Sequence, residues 1–370
     1  MSKSACLSDH ELRSLFVLLR SGLWEKDPDD LSLFPLSDAG WLNVYRESVR
    51  QTVTGLVYRG VCRLPDRFLP PRKLLFKWVA CVDDIERQNA RMNLVIRELH
   101  DLFVASGLKV VLQKGQGVAM FYDSPMLREC GDIDFYFPDR SDYDKTFQML
   151  RKHQVALQRA ADESFNYSWK GIRVEHHTRL FDLCRPSSRK WLKRMESEYG
   201  YVKENGVCDA GGIDVPSPVL NLILLNAHIL KHVLGHGIGL RQLCDMARAS
   251  YSLHDKVDGN LIREIYGRLG IGRWSRLLYA FLVNDLGLPG DVSPYEVVDY
   301  KRDTLRRIIL RGGNFGLHSG GRHADGRQGK WIRKYYTLVS HLRNVGFAMC
   351  YAPEEMFWTV WNLTKGQVGR

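Results

Sequence analysis

Gly131-Asp132-Ile133-Asp134-Phe135-Tyr136-Phe137, closed by Pro138, is the stretch that decides how the rest of this chain is read. A short run rich in aromatic and β-branched residues and ended by proline reads as a strand. Side chains alternate along a strand, so Asp132 and Asp134 share one face while Ile133 enters the core on the other. Two carboxylates about 7 Å apart on one face are able to hold a divalent metal, and neither has a cation beside it in sequence. The chain has two further Asp-x-Asp triplets. Asp27-Pro28-Asp29 falls in a proline turn, and Asp142-Tyr143-Asp144 opens a predicted helix, where acidic residues favour the helix dipole. Position therefore singles out Asp132 and Asp134.

Working outward, the hydrophobic period changes at Gly107, and Leu108-Lys109-Val110-Val111-Leu112 reads as a buried strand. It ends at Gln113-Lys114-Gly115, before a short helical stretch from Gln116 to Tyr122. Free backbone N–H groups at such a junction favour a phosphate, and a glycine lets the backbone approach it closely, so Lys114 and Gly115 are the expected phosphate-binding residues. Arg128, four residues before Asp132, is placed to neutralise a triphosphate. Beyond the Asp132 strand, Ser141-Asp142 caps a helix through Arg151, and stretches near 163–169 and 172–177 flank Lys170-Gly171 as a hairpin. In the second of these, Val174 and His176 face one way and Glu175 and His177 the other. Glu175 is then a third carboxylate that completes the metal site and serves as general base toward an acceptor hydroxyl.

Both flanks are helical. Ser8 with Glu11 forms a capping box for a helix through about Leu19, and Ser37-Asp38 starts a second toward Tyr58. Apolar positions from Leu75 to Phe103 recur at three- and four-residue steps, giving one long helix or two joined ones. After Ser217-Pro218 the pattern predicts helices at 218–234, 240–251, 259–269, 273–285 and 295–310. The expected fold is α+β: a small mixed-sheet core between an N-terminal helical region at 1–84 and a C-terminal helical domain at 186–370. The core is set at 85–185, because the helix leading into the first strand should pack on it. Residues 311–329 hold seven glycines without periodicity and read as an extended loop. Lys330 to Cys350 reads as a basic, aromatic helix, and Pro353 to Leu363 as a short amphipathic one.

Composition excludes some function classes. Of 370 residues, 45% are hydrophobic and 11% aromatic, which rules out a disordered chain. The net charge of +11 resembles a nucleic-acid signature, but residues 301–370 hold 13 Lys+Arg against 4 Asp+Glu, leaving 40 against 38 elsewhere. The basicity belongs to the tail, so nucleic acid is not the favoured partner. A docked helix with solvated basic side chains is the simpler account of Lys330, Arg333, Lys334 and Arg343. Arg311, Arg322, His323 and Arg327 would act on a triphosphate only if the glycine-rich loop closes as a lid. The eight cysteines form no metal-ligand pair such as C-x-x-C. No apolar run reaches the length of a membrane span, and the N-terminus lacks a secretory h-region, so a cytoplasmic protein is expected. His228 and His232 sit four apart on one helix face, but Ile229 occupies the place of a zincin glutamate, so they are read as structural or as a wall of an acceptor cleft. Gly235-His236-Gly237-Ile238-Gly239 follows a helix rather than a strand, against a dinucleotide fingerprint.

Taken together, Leu112, Lys114, Gly115, Tyr122, Pro125, Arg128, Gly131, Asp132, Ile133, Asp134, Glu175 and His177 resemble the uncharacterised nucleotidyltransferase family of the DNA polymerase β-like superfamily. His228, His232, Leu243, Asp245 and Gly313-Asn314-Phe315-Gly316 extend the likeness over most of the chain from about residue 40. The resemblance implies a metal-dependent nucleotidyltransferase that moves a nucleoside monophosphate from a nucleoside triphosphate to a hydroxyl acceptor, with Mg²⁺, or Mn²⁺, in a two-metal site. Asp132, Asp134 and Glu175 would be its carboxylates and metal ligands, Lys114-Gly115 its phosphate loop, and His177, His228 and His232 would border the acceptor. Gln116 stands where the superfamily usually has serine. The contrasting reading is a catalytically degenerate nucleotide-binding or basic interaction protein.

Overall fold

The computed structural model of the chain describes residues 7–160, 163–206, 212–235, 237–296, 302–312 and 344–368. His236, most of the glycine-rich loop, including Arg322, His323 and Arg327, and the basic stretch from Lys330 to Arg343 lie outside the described residues. The N-terminal helices are α1 (Asp9–Trp24), α2 (Asp38–Arg50), α3 (Thr54–Val61) and α4 (Arg72–Ala105). The capping box holds: the Ser8 hydroxyl accepts from the Glu11 N–H while the Glu11 carboxylate accepts from the Ser8 N–H. The helix expected to run from Ser37 to Tyr58 is two helices, because the chain turns at Gln51–Val53 with Thr52 at φ 54°.

Strand β1 (Val111–Gln113), helix α5 (Gly115–Ala119), strand β2 (Ile133–Tyr136), helix α6 (Arg140–Lys152) and strands β3 (Gln158–Arg159), β4 (Phe165–Trp169) and β5 (Ile172–His177) follow in order. The β4–β5 hairpin forms as expected, its Lys170 and Gly171 both at positive φ (49° and 81°), the backbone a two-residue turn of this hand requires. Helix α7 (Pro186–Tyr199) and strands β6 (Tyr201–Glu204) and β7 (Ile213–Pro216) complete the sheet before helices α8 (Pro218–Leu234), α9 (Leu240–Leu253), α10 (Gly259–Arg268) and α11 (Gly272–Asn284). Further described helices at Arg302–Gly312, 344–351 and Pro353–Val368 lie near the C-terminus.

The seven strands lie in the order β3-β4-β5-β2-β1-β7-β6. Strand β2 runs antiparallel to β1 and parallel to β5, and β7 runs parallel to β1. The sheet therefore extends past residue 185, where the sequence reading ended the core. Pairing of β7 with β1 joins residues a hundred positions apart, and local patterning carries no trace of it. The boundary at residue 84 also falls inside a helix, since α4 is continuous. What changes near that point is its packing. Trp78 and Val82 join a cluster with α1–α3 and α8–α11, whereas Met92, Val95, Ile96, Leu99 and Phe103 pack on the sheet. The N- and C-terminal helices that flank the sheet thus share one core.

The two faces of β2 look into different layers. Ile133, Phe135 and Phe137 are buried against α4 and α6. Tyr136 points the other way, where its hydroxyl donates to Glu196 of α7 (2.7 Å). Alternation consequently turns Asp134 toward the α7–α9 side, and that is where the site forms.

Candidate functional site

Pairing in the sheet builds the centre of the site. Asp134 of β2 lies opposite Gln113 of β1 and, across the parallel pair, opposite Glu175 of β5. His177, two residues beyond Glu175 and so on the same face, brings Nε2 to 2.6 Å from Asp134 Oδ1. The Lys114 ammonium reaches the same oxygen at 3.4 Å. His176, on the opposite face, is fully buried, stacked on Phe165 at 4.5 Å and bonded through Nε2 to the Tyr167 hydroxyl at 3.0 Å. Adjacent histidines therefore do unrelated work: one packs the core and one faces the carboxylates.

Asp134, Glu175 and His177 each offer a ligand atom, all within 4.8 Å of one another. Two carboxylates and an imidazole form a donor set able to hold a divalent ion. Asp132, expected as a metal ligand, is not one of these three; it lines the adjoining cleft with Lys114, Gly115, Asp134 and His228. His177, read from the sequence as a cleft residue, stands instead within the ligand group.

The two aspartates of the strand are driven apart electrostatically. Burial, then the neighbouring Asp134 charge, pushes the Asp132 carboxyl up to about 6, against the pull of Lys114 and Arg241. Burial acts on Asp134 in the same direction, but the Lys114 charge and the His177 hydrogen bond overcome it and hold that carboxyl well below the usual range. Lys114 shows the converse: burial would lower its pKa, and the facing Asp134 raises it.

The Lys114-Gly115 junction has a strained backbone. Lys114 adopts φ 49°, ψ −151°, and Gly115 follows at φ 40°. A Cβ on Gly115 would stand 3.3 Å from both the Asp132 carbonyl oxygen and the Cys130 sulfur. Two successive positive φ values at a carboxylate cluster are the kind of strain that functional sites retain. The side chain in the superfamily's serine position turns away from all this: Gln116 donates to Asn89 of α4 (3.0 Å), which in turn donates to the Met126 and Arg128 carbonyls.

Arg128, expected to neutralise a triphosphate, lines the same cleft, and its guanidinium closes as a two-pronged fork on Asp245 of α9, at 2.9 and 2.7 Å, both side chains about 5% exposed. The Tyr122 hydroxyl donates to the same Asp245 at 2.7 Å. With both prongs committed, Arg128 ties the β2 approach loop to the C-terminal helices. Arg241, which lines the cleft and lowers the Asp132 pKa, is a cation that sequence reasoning missed; it lies one turn before Asp245 in a helix whose pattern suggested only packing.

On the facing wall, His228 lines the cleft, while His232 lines a neighbouring hollow with Asp182 and Lys231. The two rings meet edge to face at 4.5 Å. Asp182, in the loop after β5, binds Lys231 Nζ through Oδ1 (2.8 Å) and His228 Nδ1 through Oδ2 (3.2 Å). Nothing in the local sequence around Asp182 marks it out.

The profile of the uncharacterised nucleotidyltransferase family matches residues 37–284, and the chain belongs to that family. The crystal structure of an antigenic nucleotidyltransferase-like protein from Paracoccidioides brasiliensis is similar at 14% identity, over 53% of this chain and 92% of that one, with a TM-score of 0.33. No curated protein matches the chain. Among the described residues no helix is long and apolar enough to cross a membrane.

Proposed function

We propose that this nucleotidyltransferase moves a nucleoside monophosphate from a nucleoside triphosphate to a hydroxyl acceptor at the Asp132–Asp134–Glu175 face of the sheet. The observation that carries the proposal is the parallel register of Asp134 with Glu175, with His177 joining them to make a divalent-ion donor set. Asp134, Glu175 and His177 would hold the ion, with Asp132 beside them; Mg²⁺ or Mn²⁺ fits the donors. A divalent ion there supplies Lewis-acid stabilisation to the attacking and leaving oxygens.

The chain's own residues do the rest. Lys114 offers an ammonium within the cleft to a phosphate oxygen, and Gly115 lets the backbone approach it without a clashing Cβ. The helix α8 wall, with His228, faces the acceptor. The test measures Mn²⁺ binding and transfer of label from α-phosphate-labelled nucleoside triphosphates into cell extract. Asp134→Asn should abolish both. A double variant Asp132→Asn/Asp134→Asn that binds Mg-nucleotide as wild type does would sink the enzymatic reading and leave the nucleotide-binding alternative.

A further inference from the structure

Resting on the transfer reading above, we propose that His228, oriented by Asp182, is the general base that takes the proton from the acceptor hydroxyl. Its ring lines the same cleft as Lys114, Asp132 and Asp134, and its Nδ1 is bound to Asp182. A carboxylate accepting from Nδ1–H fixes the tautomer and leaves the lone pair on Nε2. Among the described residues Nε2 has no hydrogen-bond partner. Asp182 is itself anchored, since its other oxygen accepts from Lys231. Asp182 is therefore a positioning residue and His228 the catalytic one.

The other candidates are engaged. Glu175 belongs to the ion-ligand group, and His177 Nε2 is bonded to Asp134. Lys114 carries a charge stabilised by Asp134, and His232 lines a different hollow. The groups facing His228 are Asp182 from the loop after β5, Lys231 and His232 from its own helix, Lys114 from the β1–α5 junction and Asp134 from β2. Burial, then Lys114, lowers its pKa to about 4, so in the ligand-free protein the imidazole is unprotonated at pH 7 but a weakened base. Triphosphate entering beside Lys114 brings negative charge that raises the basicity of the ring.

In the step, the acceptor O–H bond breaks and its proton passes to His228 Nε2. The acceptor oxygen forms the new bond to the α-phosphorus, and the bond from that phosphorus to the bridging oxygen breaks, its electron pair leaving with pyrophosphate. The imidazolium is held by the Asp182 carboxylate, which stays ionised.

The experiment compares His228→Ala, His228→Gln, Asp182→Asn and Asp134→Asn in three assays: Mn²⁺ binding, binding of a non-hydrolysable nucleoside triphosphate, and label transfer into cell extract across pH. His228→Ala and His228→Gln should keep both binding affinities and lose about 100-fold or more in transfer, with added imidazole restoring part of the rate in His228→Ala. Asp182→Asn should lose less and move the acid limb of the pH profile to lower pH, because the carboxylate raises the His228 pKa. Transfer at the wild-type rate in both His228 variants overturns the base assignment while an inert Asp134→Asn keeps the transfer reading. Loss of Mn²⁺ binding in both His228 variants makes the ring an ion ligand and likewise overturns the base assignment. Wild-type protein that transfers no label overturns both proposals.

Discussion

Two buried charge clusters lie along the same cleft, and they are built on opposite plans. In the Tyr122–Arg128–Asp245 cluster one guanidinium meets one carboxylate through two prongs, and a hydroxyl donates to the same carboxylate. Charge is balanced there. Across the cleft, the three carboxylates of Asp132, Asp134 and Glu175 crowd together against the two cations Lys114 and Arg241, and the mismatch appears as a carboxyl pushed up to about 6 beside one held far down. A balanced buried pair has little left to offer a ligand, whereas an excess of carboxylates is stabilised by binding a cation. The difference teaches which buried charges in this fold are struts and which form a site.

The comparison is broken most severely on the balanced side. Asp245→Ala leaves the Arg128 guanidinium buried without its partner and should lower unfolding stability by about 3–5 kcal/mol, read by chemical denaturation. A loss below about 1 kcal/mol would mean that the fork is not the strut described. On the unbalanced side, Mn²⁺ at a hundred times its Kd should stabilise wild type by about 2.7 kcal/mol and leave Asp134→Asn unmoved, measured as a shift in denaturation midpoint.

A smaller effect comes from pH in the ion-free protein. His228 has its folded pKa depressed to about 4 by burial first and Lys114 next, and burial lowers His176 and His232 as well. These neutral imidazoles contribute stability that is present above the unfolded pKa of about 6.5 and is lost as pH falls. His228 alone should remove about 2 kcal/mol between pH 7 and pH 5. Asp132 acts with the opposite sign, because a carboxyl raised to about 6 takes up a proton in the folded state first and so favours that state as pH drops. Asp132→Asn should therefore make the acid loss steeper, and a shallower loss would show that the charge crowding is misassigned. The smallest change belongs to Asp134→Asn without metal: relief of Asp132 offsets the lost Lys114 and His177 contacts, so stability should stay within about 1 kcal/mol of wild type.

Much of this was legible in the residues. Alternation along Asp132–Phe137 and Ile172–His177 separated the ligand face from the core face, and the Lys170-Gly171 turn declared its hairpin. The same reasoning failed where pairing is distant. Tyr201-Val202-Lys203-Glu204 does not alternate, and Ile213-Asp214-Val215 alternates over only three residues, too little pattern to be distinguished from loop. The partner of Arg128 was hidden for a related reason, since an arginine in a loop shows its charge and not its partner, and Asp245 lies more than a hundred residues on.

What the sequence by itself determined is the chemistry available: which strand carries carboxylates on one face, where the glycine lets the backbone come close, and the family to which that order belongs. Tertiary structure decided which groups are spent. It joined Arg128 to Asp245, brought His177 to Asp134 and Glu175, left Asp132 beside them, and brought Asp182 to His228. The reason is physical, because a side chain's charge and shape are local properties, whereas desolvation and pairing depend on whatever the fold packs against it.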